Sequence, residues 1–322
     1  MMNNIPLLEQ FVHAHATPGD EGEAAQLLLA SWQGAGLATR RLGAHAVLAE
    51  SEPGSDKPVL LVTAHMDSTG FAVERFSDGF FGVVPLGHPE VDAPEIPAVL
   101  KTRAGRVNGI LRGGKDAESF TFQPRAACPE TRHGDRVAFA PVFERGGSKI
   151  SAPYLDNRLG CWMLALLAPV IREWNPPWRM VLAATGSEEM CGHGAAVLAH
   201  AVRPDAVVVL DTTYENRGQN VALGKGPVLT LSDQSVLLPP AVRDRLMDAF
   251  HAAGLPLQTE VYNFSGTDAK AFPFAGLPGV VAPLLVPTTG NHSPRESADL
   301  TDVESLFNGL RLLAQSPGLL SP

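Results

Sequence analysis

Four segments of the chain are apolar, β-branched runs that break off at a polar residue able to carry chemistry. PVLLVTAHMD runs from Val59 to Thr63 and stops at His65-Met66-Asp67. RMVLAATGSEE stops at Glu188-Glu189, DAVVVLDTT at Asp211, and GVVAPLLVPTTGNH just before His292. Runs without polar alternation are what strands buried on both faces of a parallel sheet require. Between them the apolar positions recur every three to four residues, in RLGCWMLALLAPVIREW, GHGAAVLAHAV, AVRDRLMDAFHAAG and VESLFNGLRLLAQ. That is the period of amphipathic helices. A further helix is expected in TPGDEGEAAQLLLASW, where Asp20 and Glu23 have the spacing of a capping box. The alternation predicts an α/β fold, a mostly parallel sheet sandwiched by helices.

One stretch breaks the alternation. From about Gly70 to about Ser151 the chain is rich in Gly and Pro and offers short alternating segments: GFFGVVPLG, AVLKTRAGRVNGILRG, SFTFQP and DRVAFAPVF. No helical period runs through it, and structureless loops of that length are rare. The reading is a small inserted β-barrel or sandwich, residues 71–150, inside an α/β catalytic domain made of residues 1–70 and 151–322.

With 322 residues, 45% hydrophobic and 18% charged, the chain is long enough to bury a large core. A net charge of -9, from 25 basic against 34 acidic residues and with no run of basic residues, makes nucleic acid an unsuitable partner. No apolar stretch reaches the roughly 18 residues of a membrane span and MMNNIPLLEQF lacks the form of a secretory leader, so a cytoplasmic location is expected. Cys128, Cys161 and Cys191 are odd in number and widely spaced, and are read as reduced thiols.

In open parallel sheets ligands bind beyond the carboxyl ends of the strands. His65, Glu188, Glu189, Asp211 and His292 therefore gather along one edge, and Asp156 in APYLDNRLG joins them where the insert returns. Imidazole and carboxylate ligands without cysteine suit zinc, cobalt or manganese in a hydrolytic site; two metals would need one carboxylate in common. Taken singly, a Glu-Glu pair at a helix start is ordinary dipole electrostatics and a lone His is ordinary packing. The joint occurrence carries the reading. The other histidines are given no role, with His193 the nearest to the acidic pair.

In order and spacing, AHMDSTG, LDNRLG, GSEEMCGHGA, VVLDTT, SGTDA and HSPRE resemble the TET-type dinuclear-metal aminopeptidases of the zinc peptidase clan, a family that includes glutamyl and deblocking aminopeptidases. The resemblance spans nearly the whole chain. It implies a catalytic domain interrupted by a small β-domain between His-x-Asp and the bridging Asp. It implies two divalent metal ions, zinc foremost and cobalt or manganese as alternatives, bridged by Asp156, with His65 and Asp211 completing one site and Glu189 and His292 the other. Glu188 would be the general base acting on metal-activated water, and Asp67 would hold the His65 ring in its ligating tautomer. Gly266, Thr267 and Asp268 would position substrate, or form a turn without a ligand role. Glu296 would support the His292 loop or cap the nearby helix.

The implied activity is removal of N-terminal residues from short peptides by a homo-oligomer, for which the family's large tetrahedral dodecamer is one form. A deacylase or carboxypeptidase-like amide hydrolase of the same clan is the alternative, and a catalytically silent scaffold the third. The chain departs from the family at Asn157, where a second aspartate is usual, at Met190-Cys191 in place of Val-Gly, and at Ser265 in place of Gly. It is also somewhat short for the family.

Overall fold

The four apolar runs lie side by side. In the computed structural model, which describes residues 4–113 and 119–321, Arg179–Thr185, Val59–His65, Ala206–Tyr214 and Val280–Thr289 are consecutive parallel strands. They are buried along almost their whole length, which accounts for the absence of polar alternation. Their side chains alternate between two cores. Leu60, Val62 and Ala64 join Leu182, Val208 and Leu284 on one face, while Val59 and Leu61 join Val181, Val207 and Val209 on the other. Helices Ile5–His13, Gly22–Gly34, Leu155–Leu167, Pro240–Ala252 and Leu300–Gln315 cover the first face; helices His193–Val202 and Ala271–Phe274 cover the second.

The parallel centre carries antiparallel flanks. Ala46–Glu50 and then Ala38–Leu42 add beside Arg179–Thr185. On the far side Glu296–Asp299, Lys149–Ala152 and Glu144–Gly146 follow Val280–Thr289, whose free length also pairs with Val228–Ser232. Gln258–Val261 then lies parallel to Val228–Ser232. The result is a mixed 11-stranded sheet.

Six antiparallel strands from Gly70–Ser77 to Arg136–Phe139 close into a barrel with a core of its own, built on Phe71, Leu100, Leu111, Phe122, Val137 and Phe139. Its first and last strands pair, Phe71 opposite Val137, so the two ends of the barrel lie side by side, while the chain leaves the large sheet at Val59–His65 and rejoins it at the far edge. The hairpin Glu144–Gly146 with Lys149–Ala152 belongs to the large sheet and not to the barrel. Residues 114–118 of the expected insert, and residues 1–3 and 322 of the flanking parts, lie outside the described residues.

The expected capping box does not form. Helix Gly22–Gly34 starts without a side-chain cap. Asp20 pairs instead with Lys101 at 2.8 Å, and Glu23 accepts the His15 N–H at 2.9 Å and pairs with Lys101 and Arg106. Barrel cations outcompete the backbone donors for these carboxylates, and the helix start serves to join the barrel to the sheet.

Candidate metal centre

Each strand end delivers its residue to one place. His65 Nε2 lies 3.1 Å from Asp156 Oδ1 and 3.3 Å from Asp211 Oδ1. His292 Nε2 lies 3.5 Å from Asp156 Oδ2 and 3.4 Å from Glu189 Oε2. The two triads are built from five residues, because Asp156 belongs to both, one oxygen turned to each histidine. Within each triad the donor atoms lie within 4.8 Å of one another.

The support is specific. His65 Nδ1 sits 3.0 Å from the backbone carbonyl of Asp67, an acceptor that requires the proton on Nδ1 and leaves Nε2 directed at Asp156 and Asp211. The Asp67 carboxylate is farther from the ring, at 3.7 Å, and does something else: its two oxygens accept the backbone N–H groups of Glu188 at 3.0 Å and Glu189 at 3.1 Å. Those two residues sit in a turn ahead of helix His193–Val202, not in its first turn. Glu296, 1% exposed, accepts the N–H of Asp156 at 2.8 Å and of His292 at 3.0 Å, and so joins the bridging position to the second histidine. Asn157 donates its amide to the Leu210 carbonyl at 2.8 Å and accepts from Gly160 N–H at 2.9 Å, tying the start of its helix to the strand that carries Asp211. An ionised aspartate at 157 has no proton for the first of these bonds.

Three supporting residues escape a reading of the sequence. Arg158 is buried and donates to the carbonyls of Phe11, Met66 and Ala16, fixing the segment next to Asp67; its charge at the head of a run that is apolar from Leu159 onward was the available signal. Glu21 accepts the N–H of Ser187 at 3.0 Å and of Gly19 at 2.7 Å, holding the turn at Ser187, whose φ of 63° is left-handed. Ser68 donates its hydroxyl to the Asp156 carbonyl at 2.6 Å. Neither Glu21 nor Ser68 carries a sequence signal of its own.

The cluster is electrostatically crowded. Burial pushes the Glu189 carboxyl up to about 8, Asp211 to about 6 and Asp268 to about 7, and raises Glu188 well above the carboxylate range, with neighbouring carboxylates adding to each. Burial works against a charged His292 ring, but Asp156, Glu189 and Glu296 hold its pKa at about 10. Asp156 is the exception, held low against its burial by the two histidines.

These residues fit divalent cations. Asp156 Oδ1 and Glu189 Oε1 are buried oxygens without a hydrogen-bond partner, and buried polar atoms are rarely left so. Burial disfavours a charged His65 ring, yet Asp211, Asp156 and Asp67 hold its pKa well above the ordinary value; a cation among His65 Nε2, Asp156 and Asp211 would take the place of that proton. Imidazole nitrogen and carboxylate oxygen, without thiolate, are the ligand set of zinc, cobalt and manganese.

Two cavities meet here. One, about 410 Å³, is lined by His65, Asp156, Glu188, Asp211 and His292 among others; the second, about 420 Å³, shares Glu188, Gln234, Gly266 and Thr267 with it. Gly266 and Thr267 thus stand on the rim between the two, where Ser235 hydrogen-bonds both the N–H and the carbonyl of Thr267. Asp268 is buried, receives the Thr185 hydroxyl and touches only the second cavity. His193 packs against His45 in a tilted pair, ring centres 4.0 Å apart, and belongs to neither triad.

The sequence profile of the M42 glutamyl aminopeptidases matches residues 120–308. A lysyl aminopeptidase from Pyrococcus furiosus is 28% identical over 287 residues, covering 80% of this chain and 82% of its own. Among solved structures, the TET aminopeptidase from the marine sediment archaeon Thaumarchaeota archaeon SCGC AB-539-E09 shares the fold with a TM-score of 0.89 at 21% identity, over 97% of this chain and 96% of its own. The Pyrococcus horikoshii TET1 peptidase, which can assemble into a tetrahedron or a large octahedral shell, superposes with a TM-score of 0.86 at 21% identity, over 96% and 98%.

Proposed function

This chain belongs to the M42 glutamyl aminopeptidase family and is a peptide hydrolase, and we propose that it is a di-metal aminopeptidase releasing N-terminal residues from short peptides. The observation that carries the reading is the pair of triads sharing Asp156, one carboxylate oxygen toward each histidine. Asp156 would serve both sites, with His65 and Asp211 holding one cation and Glu189 and His292 the other. Divalent cations held there, zinc foremost with cobalt or manganese as alternatives, would polarise the scissile carbonyl and lower the pKa of water.

Glu188 has no place in either triad and faces both cavities. Its carboxylate takes a proton from the attacking water and returns it to the nitrogen of the leaving amine. Asp67 aims that carboxylate by holding the Glu188 and Glu189 N–H groups. Gly266 and Thr267 orient the peptide backbone at the rim, and Asp268 supports them through Thr185. The same reading treats residues 71–150 as an inserted domain in a catalytic domain of residues 1–70 and 151–322. It takes the protein to be a cytoplasmic homo-oligomer, with the closed shells of its structural neighbour TET1 as the precedent.

The test is hydrolysis of matched free and N-acetylated short peptides by the metal-reconstituted protein, with Glu188→Gln as control. Cleavage confined to free-amine peptides and lost in the variant is expected. Turnover of the blocked peptides would make the protein a deacylase, and a metal-loaded but inert protein would make it a scaffold.

A further inference from the structure

We propose that the ligand-facing cavity holds a subsite for a cationic side chain, so that this enzyme removes N-terminal Lys or Arg and disfavours Asp and Glu. The proposal rests on the aminopeptidase reading and names its substrate class. Seven carboxylates line the 410 Å³ cavity, and among the described residues no lysine or arginine does. Four of the seven are the proposed ligands and base, whose charge two divalent cations would balance. Glu90, Asp233 and Glu260 remain uncompensated.

Glu260 is the best placed of the three. It is 5% exposed, and its two oxygens accept the hydroxyls of Thr213 at 2.7 Å and Thr230 at 2.8 Å. Thr213 follows Asp211 by two residues on the same strand and so points to the same face, about 6.6 Å further along. The Glu260 carboxylate therefore lies in the same cavity as the proposed ligands, further along the strand that carries Asp211. Both hydroxyls donate to it and it keeps acceptor capacity for a further donor. Asp233 commits Oδ1 to the Ser235 and Val236 N–H groups, at 2.6 and 2.7 Å.

The walls suit the stem of such a side chain. Tyr262 lies 6.1 Å from Tyr214 and 5.7 Å from Phe264, ring centre to ring centre, and all three line the cavity. Aromatic faces accommodate methylene stems and attract cations. Leu285 is the one aliphatic side chain of the lining among the described residues, so an aliphatic N-terminal residue gains less here than a cation does. A carboxylate side chain would meet three unbalanced negative charges.

The experiment is kcat/KM of the full-length, metal-loaded protein on the p-nitroanilides of Lys, Arg, Leu and Glu, with N-acetyl-Lys p-nitroanilide alongside, repeated for Glu260→Gln and Asp233→Asn. Lys and Arg are expected to lead Leu by on the order of tenfold, with Glu slowest, and Glu260→Gln to shrink the Lys-to-Leu ratio by a similar factor. Asp233→Asn moves the ratio the same way. Leu or Glu as the fastest substrate overturns the proposal, and the unaltered protein decides this even where a variant does not fold. Equal losses on Lys and Leu in Glu260→Gln also overturn it, because the carboxylate then serves the α-amine or the fold. Hydrolysis of none of the free-amine substrates removes the aminopeptidase reading and this proposal together, whereas a lead by Leu or Glu removes this one alone.

Discussion

The carboxylate of Asp67 receives the backbone N–H of Glu188, 3.0 Å away, and its second oxygen receives that of the next residue. One strand end thereby sets the position of the turn at another. In Asp67→Asn the amide presents a donor to one of those N–H groups, and the turn shifts. A 10–100-fold loss in kcat/KM is expected, with loss of bound metal but retention of fold. Kinetics together with metal content per chain check it; activity within about twofold of the parent would sink the assigned role.

Glu296 performs the corresponding service for Asp156 and His292. Glu296→Gln keeps one acceptor and loses the other, leaving a buried N–H unmet at a cost of about 1–3 kcal/mol. Thermal unfolding should show a Tm lower by several degrees, and metal titration a weaker affinity.

Removing the proposed metals would leave the crowded carboxylates of Asp156, Glu188, Glu189 and Asp211 with no cation among them. Chelation at neutral pH should abolish hydrolysis and lower Tm, and zinc, cobalt or manganese should restore both. Ligand linkage sets the scale: a site held at about 100 times its Kd contributes about 2.7 kcal/mol. A Tm indifferent to chelator would count against metal binding at this cluster.

His15 makes a pH prediction independent of the metals. Burial holds its pKa below the usual value, and Lys101 and Arg106 push the same way, while Asp20, 3.5 Å from Nδ1, opposes them. The folded state therefore prefers the neutral ring. At pH above about 6.5 both states are neutral and nothing is lost. Below that the unfolded chain protonates first, so stability declines as pH falls toward the folded pKa, by at most about 1.4 kcal/mol per pH unit. Urea unfolding at about pH 7 and about pH 5.5, on either side of the unfolded ring's titration, should show the parent losing stability relative to His15→Gln.

The parts of the site legible in the sequence are those delivered by strand ends. A strand buried on both faces, such as Val59–His65 or Ala206–Tyr214, leaves an unbroken apolar run, and the chemistry-bearing residue that ends it, His65 or Asp211, is marked by contrast. The barrel was visible for the same reason in reverse, through the loss of helical period. What lay beyond reach were bonds between distant backbones and side chains: Glu21 to Ser187, Glu296 to Asp156, and Asp67 to the acidic turn as well as to the neighbourhood of the His65 ring. The capping spacing of Asp20 and Glu23 misled because a local rule holds only until a tertiary partner, here Lys101, offers more. The antiparallel flanks were likewise hidden, since Ala46–Glu50 is too short to declare its partner.

Because the first and last barrel strands are paired neighbours, the barrel returns the chain almost to where it took it. Closing a loop whose ends already meet costs the sheet little extra entropy, however long the loop, since that cost grows only with the logarithm of length. The insert reaches the chemistry through His88 and Glu90, which line the cavity and bond the His292 loop, while the distal strands and turns of the barrel are free to lengthen, shorten or change sequence as His65 and Asp156 keep their separation.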